Sequence, residues 1–309
     1  MKTLVVEKDL ITQIKSINEV EKGLQEELYI SDRSLATSIF LSLKLNKPLF
    51  LEGEAGVGKT EIAKVLSNLL GRRLIRLQCY EGLDLNTAVY EWNYSRQMLQ
   101  IRLLEAAGTL DQHSIAENIF GNDFLLKRPL LNAIDNEDDL PPVLLVDELD
   151  RADEEFEAFL LEILSDFQIS IPEIGTIKAT KPPVVIITSN RTREIHDALK
   201  RRCLYYWIDY PSFEKEYQIV LAKVPEAPER LAKQVVSFIQ GLRQEDLYKK
   251  PGVAETLDWI TSLVALDQQE LGENVIEDTL GVLLKYRDDI EQIRGSSAKN
   301  ILAQAIKSA

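Results

Sequence analysis

The stretch Gly53-Glu54-Ala55-Gly56-Val57-Gly58-Lys59-Thr60, GEAGVGKT, fits the pattern GxxxxGK[ST] and stands between two simple segments. Before it lies a short apolar run, PLFLE (48–52); after it comes TEIAKVLSNLLG (60–71), of helical spacing, which Gly71 can stop. Strand, glycine-rich loop, helix is the order such a loop requires. Its glycines let backbone N–H groups turn inward round a phosphate, and the helix that follows adds its positive dipole end. Lys59 is placed to reach the β- and γ-phosphates of a nucleotide, and Thr60 to ligate Mg²⁺ through its hydroxyl. The loop residues Gly53, Glu54, Ala55, Gly56, Val57, Gly58, Lys59 and Thr60 are thus the expected nucleotide-binding set.

Working outward, VLLV (143–146) reads as a buried strand that ends in Asp147-Glu148. The carboxyl end of such a strand is where ligands sit in α/β sheets. Asp147 is expected to hold Mg²⁺ through water, and Glu148 to orient and deprotonate an attacking water. A kinase would not need Glu148 in that role, so the pair points to hydrolysis of ATP. The next buried run, VVIIT (184–188), leads to Ser189-Asn190-Arg191-Thr192, where the Asn190 amide is suited to hold that water or to sense the γ-phosphate. A turn-forming Ser-Asn at a strand exit is the plainer account of the same residues. ALKRRC (198–203) closes a short helix with Lys200, Arg201 and Arg202. Cations are favoured at any helix C-terminus, but Arg201 and above all Arg202 are also candidates for an arginine finger that reaches a neighbouring subunit's nucleotide.

Alternating strand and helix patterns predict an α/β core, with helices packed on a parallel sheet. SDRSLATSIFLSLKLNK (31–47) is an amphipathic helix behind Ser31 or Asp32, RRLIRLQC (72–79) a second strand, and DEEFEAFLLEILS (153–165) another helix. IPEIG (171–175) and its flanks predict a hairpin. After about Tyr210–Ser212 the segments FEKEYQIVLAK, ERLAKQVVSFIQGL, AETLDWITSLVAL and VIEDTLGVLLKYRDDI are all helical in pattern, which predicts an all-α subdomain. The expected division is a polar N-terminal arm over 1–29, an α/β nucleotide-binding domain over 30–210 and a helical lid over 211–309.

The 309 residues are 45% hydrophobic and 28% charged, ordinary for a globular chain. No apolar stretch approaches the roughly 20 residues of a membrane span. MKTLVVEKDLITQ lacks the apolar block and cleavage site of a secretory signal, so a cytoplasmic setting is expected. Cys79 and Cys203, with His113 and His196, lack metal-ligand spacing and read as buried or polar fillers. The net charge of −14 repels a phosphate backbone at long range and disfavours nucleic acid as the main substrate.

With these residues in place, the sequence resembles the MoxR family of AAA+ ATPases, in particular its CoxD-like branch. The resemblance is carried by GEAGVGKT, VLLVDELDRAD, IITSNRTREIHDALKRRC and YYWIDYP, and by YEWNYSRQMLQIRLLEA and PGVAETLDW for the branch. It implies an AAA+ P-loop core followed by a helical lid, a helix-2 insertion near residues 80–98 and a pre-sensor hairpin near 167–180. It also implies a homo-oligomer, a hexameric ring, and a chaperone-like ATPase that matures or activates a protein client. For this branch the client is a metalloenzyme of the molybdenum carbon monoxide dehydrogenase type, and a partner with a von Willebrand factor A domain is expected. Where many AAA+ proteins carry a sensor-2 arginine in the lid, the nearest matching position is Glu255; Lys249 and Lys250 are the neighbouring cations, and spacing selects neither. A nucleic-acid motor or loader on the same core, a small-molecule kinase and a non-hydrolysing scaffold are the competing readings.

Overall fold

The computed structural model describes residues 14–106, 119–136, 138 and 140–308. In chain order the elements are α1 (Ile17–Glu26), α2 (Arg33–Leu45), β1 (Leu49–Gly53), α3 (Lys59–Leu70), β2 (Leu74–Gln78), α4 (Leu85–Ala88), β3 (Tyr90–Trp92), α5 (Tyr94–Ala106), β4 (Leu125–Lys127), α6 (Pro129–Ile134), β5 (Val143–Asp147) and α7 (Glu154–Asp166). They continue with β6 (Gln168–Ile171), β7 (Gly175–Lys178), β8 (Val184–Ser189), α8 (Asp197–Lys200), β9 (Leu204–Ile208), α9 (Phe213–Lys223), α10 (Glu229–Leu242), α11 (Val253–Ala265), α12 (Glu273–Leu283), α13 (Arg287–Ile293) and α14 (Ser296–Ser308). The chain divides into two compact units, one holding Arg33–Glu52 and most of the chain from Ala63 to Tyr206, the other Glu21–Asp32, Gly53–Ile62 and the chain from Trp207 onward.

The first unit is built on a five-stranded sheet in the order β2-β5-β8-β1-β9. β2 pairs parallel with β5, β5 with β8 and β8 with β1, so these four strands share one carboxyl edge. The inner strands β5 and β8 are buried along their whole length, as apolar runs without alternation must be when both sheet faces are covered. One core joins Phe50, Leu77, Leu144, Val146, Phe156, Leu160, Val185 and Ile187. Two small antiparallel ribbons stand beside the sheet. β3 pairs with β4, Trp92 facing Leu125, and the hairpin expected near 167–180 is β6–β7.

In the second unit, α9 to α14 surround a separate core of Leu231, Val235, Phe238, Ile239, Trp259, Leu280 and Ile301. Trp259 is fully buried and its indole N–H donates to Thr279 Oγ1 at 2.8 Å, which satisfies the one polar atom the ring carries inside.

The elements differ from the sequence reading in several places. The polar arm contains α1, whose Val20 and Leu24, four residues apart, are both fully buried. VIEDTLGVLLKYRDDI, read as one helix, is two: α12 ends at Leu283, Leu284 is extended, and α13 starts at Arg287. That break lets the adjacent Leu283 and Leu284 both enter the core, where an unbroken helix would turn one away by about 100°. Periodicity also left out β9, from YYWI, α14 and, between β2 and β5, α4, β3, β4 and α6. His113 lies outside the described residues, as do residues 1–13 of the arm.

Candidate functional site: a phosphate loop and a carboxylate cluster

Within the second unit, Gly53–Thr60 leaves β1 and enters α3 at Lys59. Two of its glycines are required, Gly53 by the backbone that crowds it and Gly56 by its left-handed conformation. A Cβ on Gly53 would stand 2.3 Å from the Ile208 carbonyl oxygen, and one on Gly56, at φ +79°, 2.8 Å from Glu255 Oε2. Lys59 is buried, and its ammonium donates to the carbonyls of Gly53 at 2.7 Å and Glu54 at 2.6 Å. The lysine is therefore folded over its own loop, a point charge already stationed where a phosphate would meet it.

The start of α11 backs this loop. Ala254 N–H donates to the Gly56 carbonyl at 3.1 Å, and the Glu255 carboxylate accepts the Gly252 N–H at 2.9 Å. At the position where a sensor-2 arginine was sought, the side chain is thus a helix cap. Behind it lies a buried ion pair. Arg243 donates to both oxygens of Glu216 at 2.7 Å, and its Nε–H donates to the Pro251 carbonyl at 2.8 Å. Thr256 and Gln240 complete the shell of Glu216. Lys249 donates its backbone N–H to Asp289 at 3.2 Å, and Lys250 is exposed.

Within the first unit, Asp147 is buried at the end of β5, with Oδ1 accepting from Thr188 Oγ1 at 2.6 Å. The same Thr188 oxygen accepts the Glu148 N–H at 2.9 Å, so one hydroxyl from β8 sets the orientation of both acidic residues. Glu148 sits at φ 55°, ψ 51°, left-handed backbone that turns its side chain out of the strand. Its carboxylate takes Arg151 Nε at 2.8 Å, Gln78 Nε2 at 3.1 Å and, more loosely, Asn190 Nδ2 at 3.4 Å. Asn190 is brought there by Asp150, which accepts its backbone N–H at 3.1 Å and holds Thr192 N and Oγ1 at 2.9 and 2.7 Å.

Arg76, Gln78, Asp150 and Thr188 belong to this cluster, and the sequence reading missed them. The signal was present for two: alternation along LIRLQ places Arg76 and Gln78 on one face, opposite the buried Ile75 and Leu77. It points to nothing until β2 is known to lie beside β5, where Gln78 faces Asp147 in register. Cys79 is buried next to the acids, and its thiol is pushed up to about 12 by desolvation and by the charges of Asp147, Asp150 and Glu148. Burial likewise pushes Cys203 up to about 12. Both thiols are neutral and unreactive at ordinary pH.

Arg201 and Arg202 follow α8. Arg202 is tethered, its Nε–H donating to Ser165 Oγ at 2.7 Å and Nη1 to the Ala198 carbonyl at 3.2 Å. Arg201 is exposed, and its guanidinium meets no partner among the described residues. His196 caps α8, with Nδ1 accepting the Ala198 N–H at 3.2 Å. Among the described residues no group of three or more His, Cys, Asp or Glu could hold a metal ion. The buried Asp147 carboxylate is nonetheless a hard oxygen donor of the kind Mg²⁺ takes when phosphate and water supply the rest, so its chemistry fits the ion.

A phosphate loop after the first strand of a parallel sheet, and an aspartate-glutamate pair at the carboxyl end of a central strand, define a nucleotide hydrolase of the P-loop class. Residues 48–203, just over half of the chain, match the model of the AAA domain (dynein-related subfamily), and the protein belongs to that family as an ATP hydrolase. Among curated proteins the chain is similar to an uncharacterized protein of Staphylococcus epidermidis (strain ATCC 12228 / FDA PCI 1200), 24% identical over 243 residues that cover 76% of this chain and 82% of the relative. Among solved structures it is similar to the RuvB Holliday junction branch migration motor of Thermotoga maritima, with 14% identity, TM-score 0.45 and coverage of 92% of this chain and 82% of that one. A single-site variant of the same RuvB aligns over 98% and 86% at 14% identity and TM-score 0.47. No helix among the described residues is long and apolar enough to cross a membrane.

Proposed function

We propose that this ATPase is of the MoxR type, in its CoxD-like branch, and spends ATP on remodelling or maturing a protein client. The observation that carries the client reading is α5, in the segment that resembles the branch. Tyr94, Met98, Leu99 and Leu103 stand exposed on it, from 54% to 65%, large apolar side chains on a helix that also carries Arg96 and Arg102. A client of the family's kind is a metalloenzyme, with a von Willebrand factor A domain protein as helper. The working organisation is an arm over 1–29, a nucleotide-binding domain over 30–210 that includes the insertion near 80–98 and the hairpin near 167–180, and a lid over 211–309.

In the chemistry that follows from this reading, Lys59 exchanges the Gly53 and Glu54 carbonyls for β- and γ-phosphate oxygens, while the amides of Gly53–Thr60 line the phosphates. Thr60 and Asp147 would hold Mg²⁺, which would supply charge compensation for the triphosphate. Glu148 takes the proton of the attacking water, whose oxygen bonds to the γ-phosphorus as the bond to the β,γ-bridging oxygen breaks. Asn190 holds that water. Arg201 and Arg202 act in trans in a homo-oligomeric, hexameric ring, and of the two Arg201 carries the guanidinium with no local bond to break.

The test joins kinetics to capture. Specific ATPase rate should rise with protein concentration as subunits assemble, and Arg201→Ala or Arg202→Ala should remove that rise. Glu148→Gln should retain ATP and, purified from its native host, hold its client. Recovery of a metalloenzyme subunit or a von Willebrand-type protein supports the reading. A rate independent of concentration overturns the ring, and stimulation by DNA or RNA that salt abolishes overturns the client class.

A further inference from the structure

Arg76 stands on the edge strand β2 and reaches along it to the carboxylate of Asp147. Its Nε–H and Nη2–H both donate to Oδ2, at 3.0 and 2.5 Å, and Nη2 also donates to Gln78 Oε1. Asp147 is 2% exposed while Arg76 is 51% exposed, so the acid is fixed and the base is free to leave for water. Thr188 holds Oδ1 separately, so that hydrogen bond does not depend on the guanidinium. Three acids, Asp147, Glu148 and Asp150, are close enough together that all three raise the Cys79 thiol, and an acidic pocket of this kind needs a cation at all times.

We propose that Arg76 is a built-in counter-cation for Asp147, which an incoming divalent metal ion must displace, so that Arg76 sets the metal concentration at which the site becomes competent. The inference rests on the reading of Asp147 as a metal-holding residue. Two cations on one carboxylate repel each other, and a half-exposed arginine gives up its pair at small cost because water and salt replace it. Arg76 is on this account a positioning residue that holds the acid ready and keeps it neutralised until the metal arrives.

The experiment titrates Mn²⁺ into the full chain with a non-hydrolysable ATP analogue, following free Mn²⁺ by electron paramagnetic resonance. Arg76→Ala should tighten apparent Mn²⁺ affinity by about fivefold, the scale of one lost ion pair. Arg76→Lys, which keeps the charge but not both hydrogen bonds, should fall between the alanine variant and the wild type, and decides the matter if the alanine variant melts early. Unchanged or weakened Mn²⁺ affinity in a variant that keeps the wild-type melting temperature overturns the proposal. If the wild type itself binds no Mn²⁺ with the analogue, or if Asp147→Asn leaves Mn²⁺ binding intact, the metal-site reading has failed and this inference falls with it.

Discussion

The phosphate loop at Gly53–Thr60 is a main-chain device, whereas the cluster round Asp147 is made of side chains drawn from three strands and the turns that follow them. In the loop the shape comes from glycines that a Cβ would obstruct, and one lysine supplies the charge. In the cluster, Arg76 and Gln78 come from β2, Asp147 from the end of β5 with Glu148 just beyond it, and Thr188 from β8. A device of backbone needs its residues consecutive, so it is written in the sequence as one word. A device of side chains needs only that strands be neighbours, and its residues are scattered over more than a hundred positions.

The comparison can be broken most forcefully behind the loop. Arg243→Met leaves Glu216 charged and buried with its strongest partner gone, and should cost about 3–5 kcal/mol in denaturant unfolding. A much smaller loss would mean that the support of α11 lies elsewhere. The cluster should break by a subtler change. Thr188→Val keeps the shape but removes the hydroxyl shared by Asp147 and Glu148, and is expected to cost about 1–3 kcal/mol in stability and about a hundredfold in ATP turnover. Thr188→Ser should restore most of both, since it returns the oxygen.

How much was legible follows from the same contrast. Gly53–Thr60, Asp147-Glu148 and the buried strands β5 and β8 were readable because apolar runs and short motifs are local. Arg76, Gln78 and Thr188 were not, because nothing in LIRLQ or VVIIT tells which strand lies next to which. Strand β9 was hidden by its mixed exposure, with Tyr205 exposed beside the partly buried Tyr206 and Trp207. Helix α14 did carry a signal, Ala298, Ile301, Leu302 and Ala305 at helical spacing, all buried. The character of Glu255 as a cap could be seen only when its carboxylate was found on the Gly252 amide.

The smallest effect concerns the thiols. With pKa values raised to about 12, Cys79 and Cys203 stay protonated in the folded chain while the unfolded chain ionises them near 9, so their contribution to stability is complete below pH 9 and is lost as pH rises toward 12. At pH 8 iodoacetamide should label neither until denaturant is added, and rapid labelling of Cys79 in the native protein would show the cluster to be open.

The division of labour between loop and cluster is tested most directly by measuring ATP binding and phosphate release side by side in Lys59→Ala and Glu148→Gln. The loop variant should lose both. The cluster variant should bind ATP as the wild type does and release phosphate about 10²–10⁴-fold more slowly, the span of a lost general base. Wild-type phosphate release from Glu148→Gln, or undiminished ATP binding by Lys59→Ala, would contradict the account.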